Sequence, residues 1–211
     1  HNVAHSFPTR RSSDLPGTDY KADPAWYCPD LIRQILDSKV GHEIGCHTFS
    51  HIDCRDSICT DEVFYSEIEM CRQLASGFGL KLRSFVHPGH QIGHLSDLSQ
   101  MGFSSYRTDF GNKLTYPQMS ISGLWEFQNS AGLDWREGWS VNYHVKRYKT
   151  IIDRAIKHNK VCVLWFHPSF SELFRDQVFP SVLEYLGRRR SEIVCLTHFQ
   201  YTKFLDQVQN A

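Results

Sequence analysis

The sequence predicts an α/β fold in which a parallel sheet is covered by helices. Two observations carry this reading. From Asp19 onward, segments of helical and strand-like spacing alternate repeatedly, the order that yields parallel strands joined by crossover helices. In addition, Val161-Cys162-Val163-Leu164-Trp165-Phe166 is an unbroken apolar run, as expected of a strand buried on both faces. A chain of 211 residues can close one domain around a sizeable core. These lengths suit an open sheet and an incomplete barrel equally well.

Taken in order, Pro29 suits the first turn of a helix whose apolar positions are Leu31, Ile32, Ile35 and Leu36. Gly41 ends it, and residues 43–48 read as a short strand. Thr60-Asp61-Glu62 is a capped start, and Phe64, Ile68, Cys71 and Ala75 mark one face of the helix that follows. Residues 82–87 form a strand broken by Pro88. A short helix over 93–101 precedes a strand at 103–107, and 109–123 reads as a long polar loop. A strand over 124–128, an irregular stretch at 134–140 and a helix from about 145 to 158 follow. After the apolar run come a helix around 178–189, a strand at 193–196 and a terminal helix to about 208.

Composition excludes several classes. Lys+Arg and Asp+Glu are balanced at 23 each, so nothing points to nucleic acid or an anionic membrane as partner. No apolar run approaches the roughly 20 residues that span a bilayer. Seven scattered cysteines lack framework spacing and fit a reducing, cytoplasmic setting. Cys54 and Cys59, with four residues between them, read as two unrelated loop thiols. His5-Ser6-Phe7-Pro8-Thr9-Arg10-Arg11-Ser12-Ser13-Asp14-Leu15 has no strand or helix period and resembles a translated sequencing-adapter read-through. Residues 1–18 are therefore set apart as adapter-like or disordered, and the domain is expected over 19–211.

The twelve histidines are the compositional oddity. His47 and His51 follow a predicted strand, and the Thr-Phe-Ser between them allows one turn that brings both imidazoles together. Such nitrogens suit borderline divalent metals, which in catalytic sites take three protein ligands and an open water position. His87, His90 and His94 are spaced three and four apart. Pro88 and Gly89 interrupt any helix that would align them, so they read as polar loop residues beside a cleft rather than a second metal site.

These residues also carry a resemblance. Gly41-His42-Glu43-Ile44-Gly45-Cys46-His47-Thr48-Phe49-Ser50-His51 resembles the second motif of the polysaccharide deacetylases, the NodB-like carbohydrate esterases. Ser84-Phe85-Val86-His87-Pro88-Gly89-His90-Gln91-Ile92-Gly93-His94 is similar to their third, in a subgroup form with Phe-Pro-Arg-Asn-Gln. Gly102-Phe103-Ser104-Ser105-Tyr106-Arg107 matches the strand that follows, and Leu164-Trp165-Phe166-His167-Pro168 the last motif. Asp134-Trp135-Arg136 matches the fourth loosely.

The resemblance implies a distorted, incomplete (β/α) barrel with its site at the C-terminal strand ends. It implies hydrolysis of acetyl groups, N-acetyl foremost, from a sugar or polysaccharide. His47 and His51 become ligands of a divalent metal, zinc first, and His167 the general acid. His90, Trp26 and Tyr27 become substrate contacts, with core packing an equal reading for the two aromatics. Two departures stand out. The first motif, Thr-Phe-Asp-Asp, which supplies the base and the third ligand, has no match before Asp19. Gly89 and His90 also replace the usual arginine and asparagine. The expectation is an N-terminally truncated copy of low activity. A binding relative that lost turnover, and a metallohydrolase of another amide, remain open beside it.

Overall fold

The computed structural model describes residues 21–22, 28–167 and 171–209. The architecture is mixed α/β, in two compact units. The first comprises the residues up to Tyr106, Ile121–Leu124 and the segment from Thr197; the second, Arg107–Ser120 and Trp125–Leu196.

In the first unit, α1 (Pro29–Leu36) starts on its proline, and Asp30 in the first turn complements the helix dipole. Helix α2 (Asp61–Ser76) is capped by Thr60, whose Oγ1 accepts from Val63 N at 3.4 Å. Its buried face is Phe64, Ile68 and Ala75, the face read from the sequence. Strand β1 (Ser84–Val86) leads into a 3-10 turn at Pro88–His90, then α3 (Leu95–Gln100) and β2 (Ser105–Thr108), whose first two residues belong to this unit. The predicted strand over 43–48 contracts to a single parallel bridge, Cys46 to Phe85. Helix α6 (His198–Gln209) closes the unit, and Glu43 Oε2 accepts from Phe199 N at its start.

The core of this unit is Cys46, Cys54, Phe64, Ile68, Phe85, Leu98, Phe103, Tyr106 and Leu124 with their neighbours. Phe85 is fully buried and meets Phe64 and Phe103 edge-on, with centroids 6.0 and 5.7 Å apart. Burying one such ring stabilises by roughly 1.5–3 kcal/mol. β1 is thus anchored under the residues that follow it, which carry the site.

In the second unit, β3 (Gln118–Met119) pairs antiparallel with β4 (Trp125–Gln128), inside the stretch read as loop. β5 (Ala131–Gly132) pairs in parallel with β6 (Leu164–Trp165). The apolar run is therefore strand only at 164–165, and its residues are half-buried, because this ladder is just two residue pairs long. Ser140 Oγ caps α4 (Val141–Lys157), which starts earlier than predicted and buries His144, Tyr148, Ile152 and Ala155. A π-helical turn at Phe174–Val178 precedes α5 (Phe179–Arg188). Pro180 lacks the N–H for an α-helical bond and its ring crowds the carbonyl four residues back, and the widened turn relieves both. The expected strand at 193–196 is irregular, and Val194 is 77% exposed. Among the described residues no helix is long and apolar enough to cross a membrane.

Candidate metal centre

The segment before His47 lies close against β1. Cys46 N donates to Ser84 O and Val86 N to Cys46 O, both at 2.9 Å. A Cβ on Gly45 would stand 2.7 Å from Ser84 Oγ and 3.2 Å from Ser84 O, so glycine suits that close approach. The chain then turns sharply, with Thr48 at φ 60° and His51 at φ 58°. Glu67 of α2 clamps this turn: its Oε2 accepts from Phe49 N (2.9 Å) and Ser50 N (2.7 Å), and its Oε1 from Ser50 Oγ (2.6 Å).

The turn brings the two predicted ligands together, with ring centroids 4.9 Å apart and planes at 77°. His47 Nδ1 lies 2.7 Å from Val86 O. A carbonyl only accepts, so that nitrogen carries the proton and Nε2 keeps its lone pair. This is the arrangement that fixes the tautomer of a metal-ligating imidazole. Two imidazole nitrogens each about 2.0 Å from one tetrahedral zinc ion put their ring centroids roughly 5 Å apart. The donors present fit a borderline divalent ion.

No protein-family model matches the sequence, and no curated protein matches it. Among solved structures, the chain is similar to the Xyl-CE4 domain of a multidomain xylanase from the hindgut metagenome of Trinervitermes trinervoides. Identity is 13% and the TM-score 0.48, over 79% of this chain and 66% of that one.

The three histidines after β1 are not equivalent. His87 is buried, 1% exposed, with Nε2 donating to Gly93 O at 3.0 Å. Burial pushes its pKa from 6.5 down to about 4, against the bond to Gly93; His47 and His94 lower it further and Asp56 opposes them. The unfolded chain takes up this proton as pH falls below about 6.5, and the folded chain only near 4. Stability linked to His87 is therefore complete above 6.5 and lost as pH falls through about 4, by about 3 kcal/mol. His87→Phe should flatten the fall in unfolding free energy between pH 7 and 4 by that amount. An unchanged slope in denaturant titrations would refute this assignment.

His90 follows Gly89 in the 3-10 turn, and both have positive φ, 59° and 57°. The nearest atoms a Cβ at Gly89 would meet are those of the Gln91 side chain, at 3.6–3.8 Å, so a side chain has room, but the left-handed backbone favours glycine. That accounts for glycine where the resemblance has arginine. His94 is buried, 5% exposed, and occupies the residue before α3 with φ 53°. The expectation of polar loop histidines is thus corrected for His87 and His94, because the loop folds back onto the core under Gly93.

His167 lies just past β6, as expected, half-buried and edge-on to Trp165 at 5.2 Å. Trp165 rests on Gly132 and beneath the Arg107 guanidinium, 4.9 Å from its ring. Trp26 and Tyr27 lie outside the described residues. Around the loosely matched Asp134-Trp135-Arg136, the Tyr148 hydroxyl binds Asp134 N and O, and His144 Nε2 accepts from Arg136 N, an arrangement that shapes the loop. Cys54 and Cys59 are both buried, and burial pushes the Cys54 thiol up to about 12. Sequence reading missed Glu67; its only signal is a carboxylate beside the apolar face of α2.

Proposed function

We propose that this chain is a metal-dependent hydrolase that removes acetyl groups, N-acetyl foremost, from a sugar or polysaccharide, built on a distorted, incomplete (β/α) barrel. The observation that carries the reading is the His47–His51 pair, with the His47 tautomer set by Val86 O and the rings at a separation suited to one ion. Four ordered motif resemblances along the chain support the substrate class. When bound there, a divalent ion supplies Lewis-acid polarisation of an acyl carbonyl and acidifies a water.

The chain's own residues do the rest. His47 and His51 bind the ion through ring nitrogens, and Glu67 keeps the turn that aims them. His167 hands a proton to the departing sugar nitrogen, a general-acid task suited to imidazole. His90, Trp26 and Tyr27 contact the sugar. In the resemblance, the third ligand and the base belong to the Thr-Phe-Asp-Asp motif.

Zinc titration and acetate release from an N-acetylated oligosaccharide test this together. His47→Ala should weaken zinc at the pair at least tenfold, and His167→Ala should lower acetate release at least a hundredfold with zinc retained. Zinc binding or turnover indifferent to His47→Ala would overturn the reading.

A further inference from the structure

A second cluster of ligand atoms lies in the first unit and shares no residue with the His47–His51 pair. Asp61 opens α2, while His94 and Asp97 flank the start of α3, and one ligand atom from each lies within 4.8 Å of the others. Asp56 lies beside them. A surface hollow of about 380 Å³ is lined by Asp56, Asp61, Gly93, His94 and Asp97.

His94 decides what this cluster is for. Its side chain is only 2% exposed, and its ring stacks on Phe64 at 4.4 Å and 11°, so it cannot turn away. Nε2 lies 3.0 Å from the Cys59 carbonyl and must carry a proton, because that oxygen only accepts. A neutral ring then directs the bare lone pair of Nδ1 outward. That nitrogen faces three carboxylate oxygens: Asp97 Oδ2 at 2.9 Å, Asp61 Oδ1 at 3.4 Å and Asp56 Oδ1 at 3.9 Å. A lone pair aimed at anions is repulsive.

Either a proton or a cation on Nδ1 removes that repulsion, and the two differ in reach. One proton serves one of the three carboxylates well. A metal ion on Nδ1 serves Asp61 and Asp97 together, since ligand atoms about 2.0–2.2 Å from one centre lie roughly 3–4 Å apart, while Asp56 Oδ1 already accepts from His94 N. Charge points the same way. Three carboxylates outweigh two helix N-termini of about +0.5 each, leaving the site near −2.

We infer that Asp61, His94 through Nδ1, and Asp97, with Asp56 adjacent, bind a divalent transition-metal cation. One imidazole with carboxylate oxygens suits zinc or manganese, and the hollow admits water to complete the shell. The site ties the start of α2 to the start of α3. It does not depend on the hydrolase reading.

The test uses zinc alone, on a His47→Ala/His51→Ala chain from which the other pair is gone. That chain should keep one equivalent of zinc and rise in Tm on loading. Adding Asp61→Asn and Asp97→Asn should lower zinc affinity at least tenfold and abolish the rise. Loss of all zinc with the histidine pair, or binding indifferent to the two aspartates, would overturn the site. Nitrogen-15 spectra of the unaltered chain decide even where a variant misfolds. Zinc should give His94 Nδ1 the shift of a metallated nitrogen, and an Nδ1 that keeps its proton under saturating zinc would show a buried imidazolium instead.

Discussion

Gly93→Ala is expected to destabilise the chain by about 3 kcal/mol or more, the upper range for forcing one carbon into a filled space. A Cβ there would stand 2.0 Å from Cys54 O, 2.8 Å from Asp56 N and 3.0 Å from Arg55 Cα. All three are backbone atoms, so no rotamer change can make room, and the two loops must part. Parting them breaks the bond from His94 N to Asp56 Oδ1 (2.7 Å) and strains that from His87 to Gly93 O. Gly41→Ala is the control, because a Cβ at Gly41 meets nothing within 4 Å. Denaturant midpoints should separate the two variants widely. Equal midpoints would mean that the 54–56 and 92–94 segments are not packed as described.

Glu67→Ala should cost about 3 kcal/mol and weaken zinc at the His47–His51 pair about tenfold. The carboxylate accepts three hydrogen bonds from the turn, two of them from backbone N–H groups. Bonds to a charged group contribute about 1.5–3 kcal/mol each, discounted here because Phe49 is exposed and water can replace part of the set. Glu67→Gln keeps the shape and loses charge and one acceptor, so it should fall between. Removing a group that orients metal ligands typically costs 10–100-fold in affinity. Zinc affinity unchanged in Glu67→Ala, with stability lowered, would make the clamp structural alone.

The sequence was most legible where one residue's local chemistry decides the outcome. Pro29 and Thr60 start helices as expected, and the Phe64–Ile68–Ala75 face is buried as its spacing implies. His47 and His51 are brought together because the turn between them is short. Legibility failed where a distant partner decides. Glu67 lies sixteen residues beyond His51, and nothing near it announces the clamp. Asp61 and His94 are likewise far apart in the chain. Ile193, Val194, Cys195 and Leu196 have strand-like side chains but no ladder forms there, whereas Gln118 and Met119 join a two-residue ladder too short to leave a period. The 43–48 segment pairs only at Cys46 and ends where Thr48 turns left-handed.

That left-handed turn has a further consequence. Thr48 and His51 are neither glycine nor asparagine, and each positive φ costs of order 1 kcal/mol that the unfolded chain does not bear. The loop behaves as a sprung catch, pulled open by its own dihedrals and latched from the side by α2. A metal entering such a catch meets rings already aimed, so little of its affinity goes into ordering them. The corollary is an antagonism: any change that relaxes the backbone there gains stability and loosens the aim.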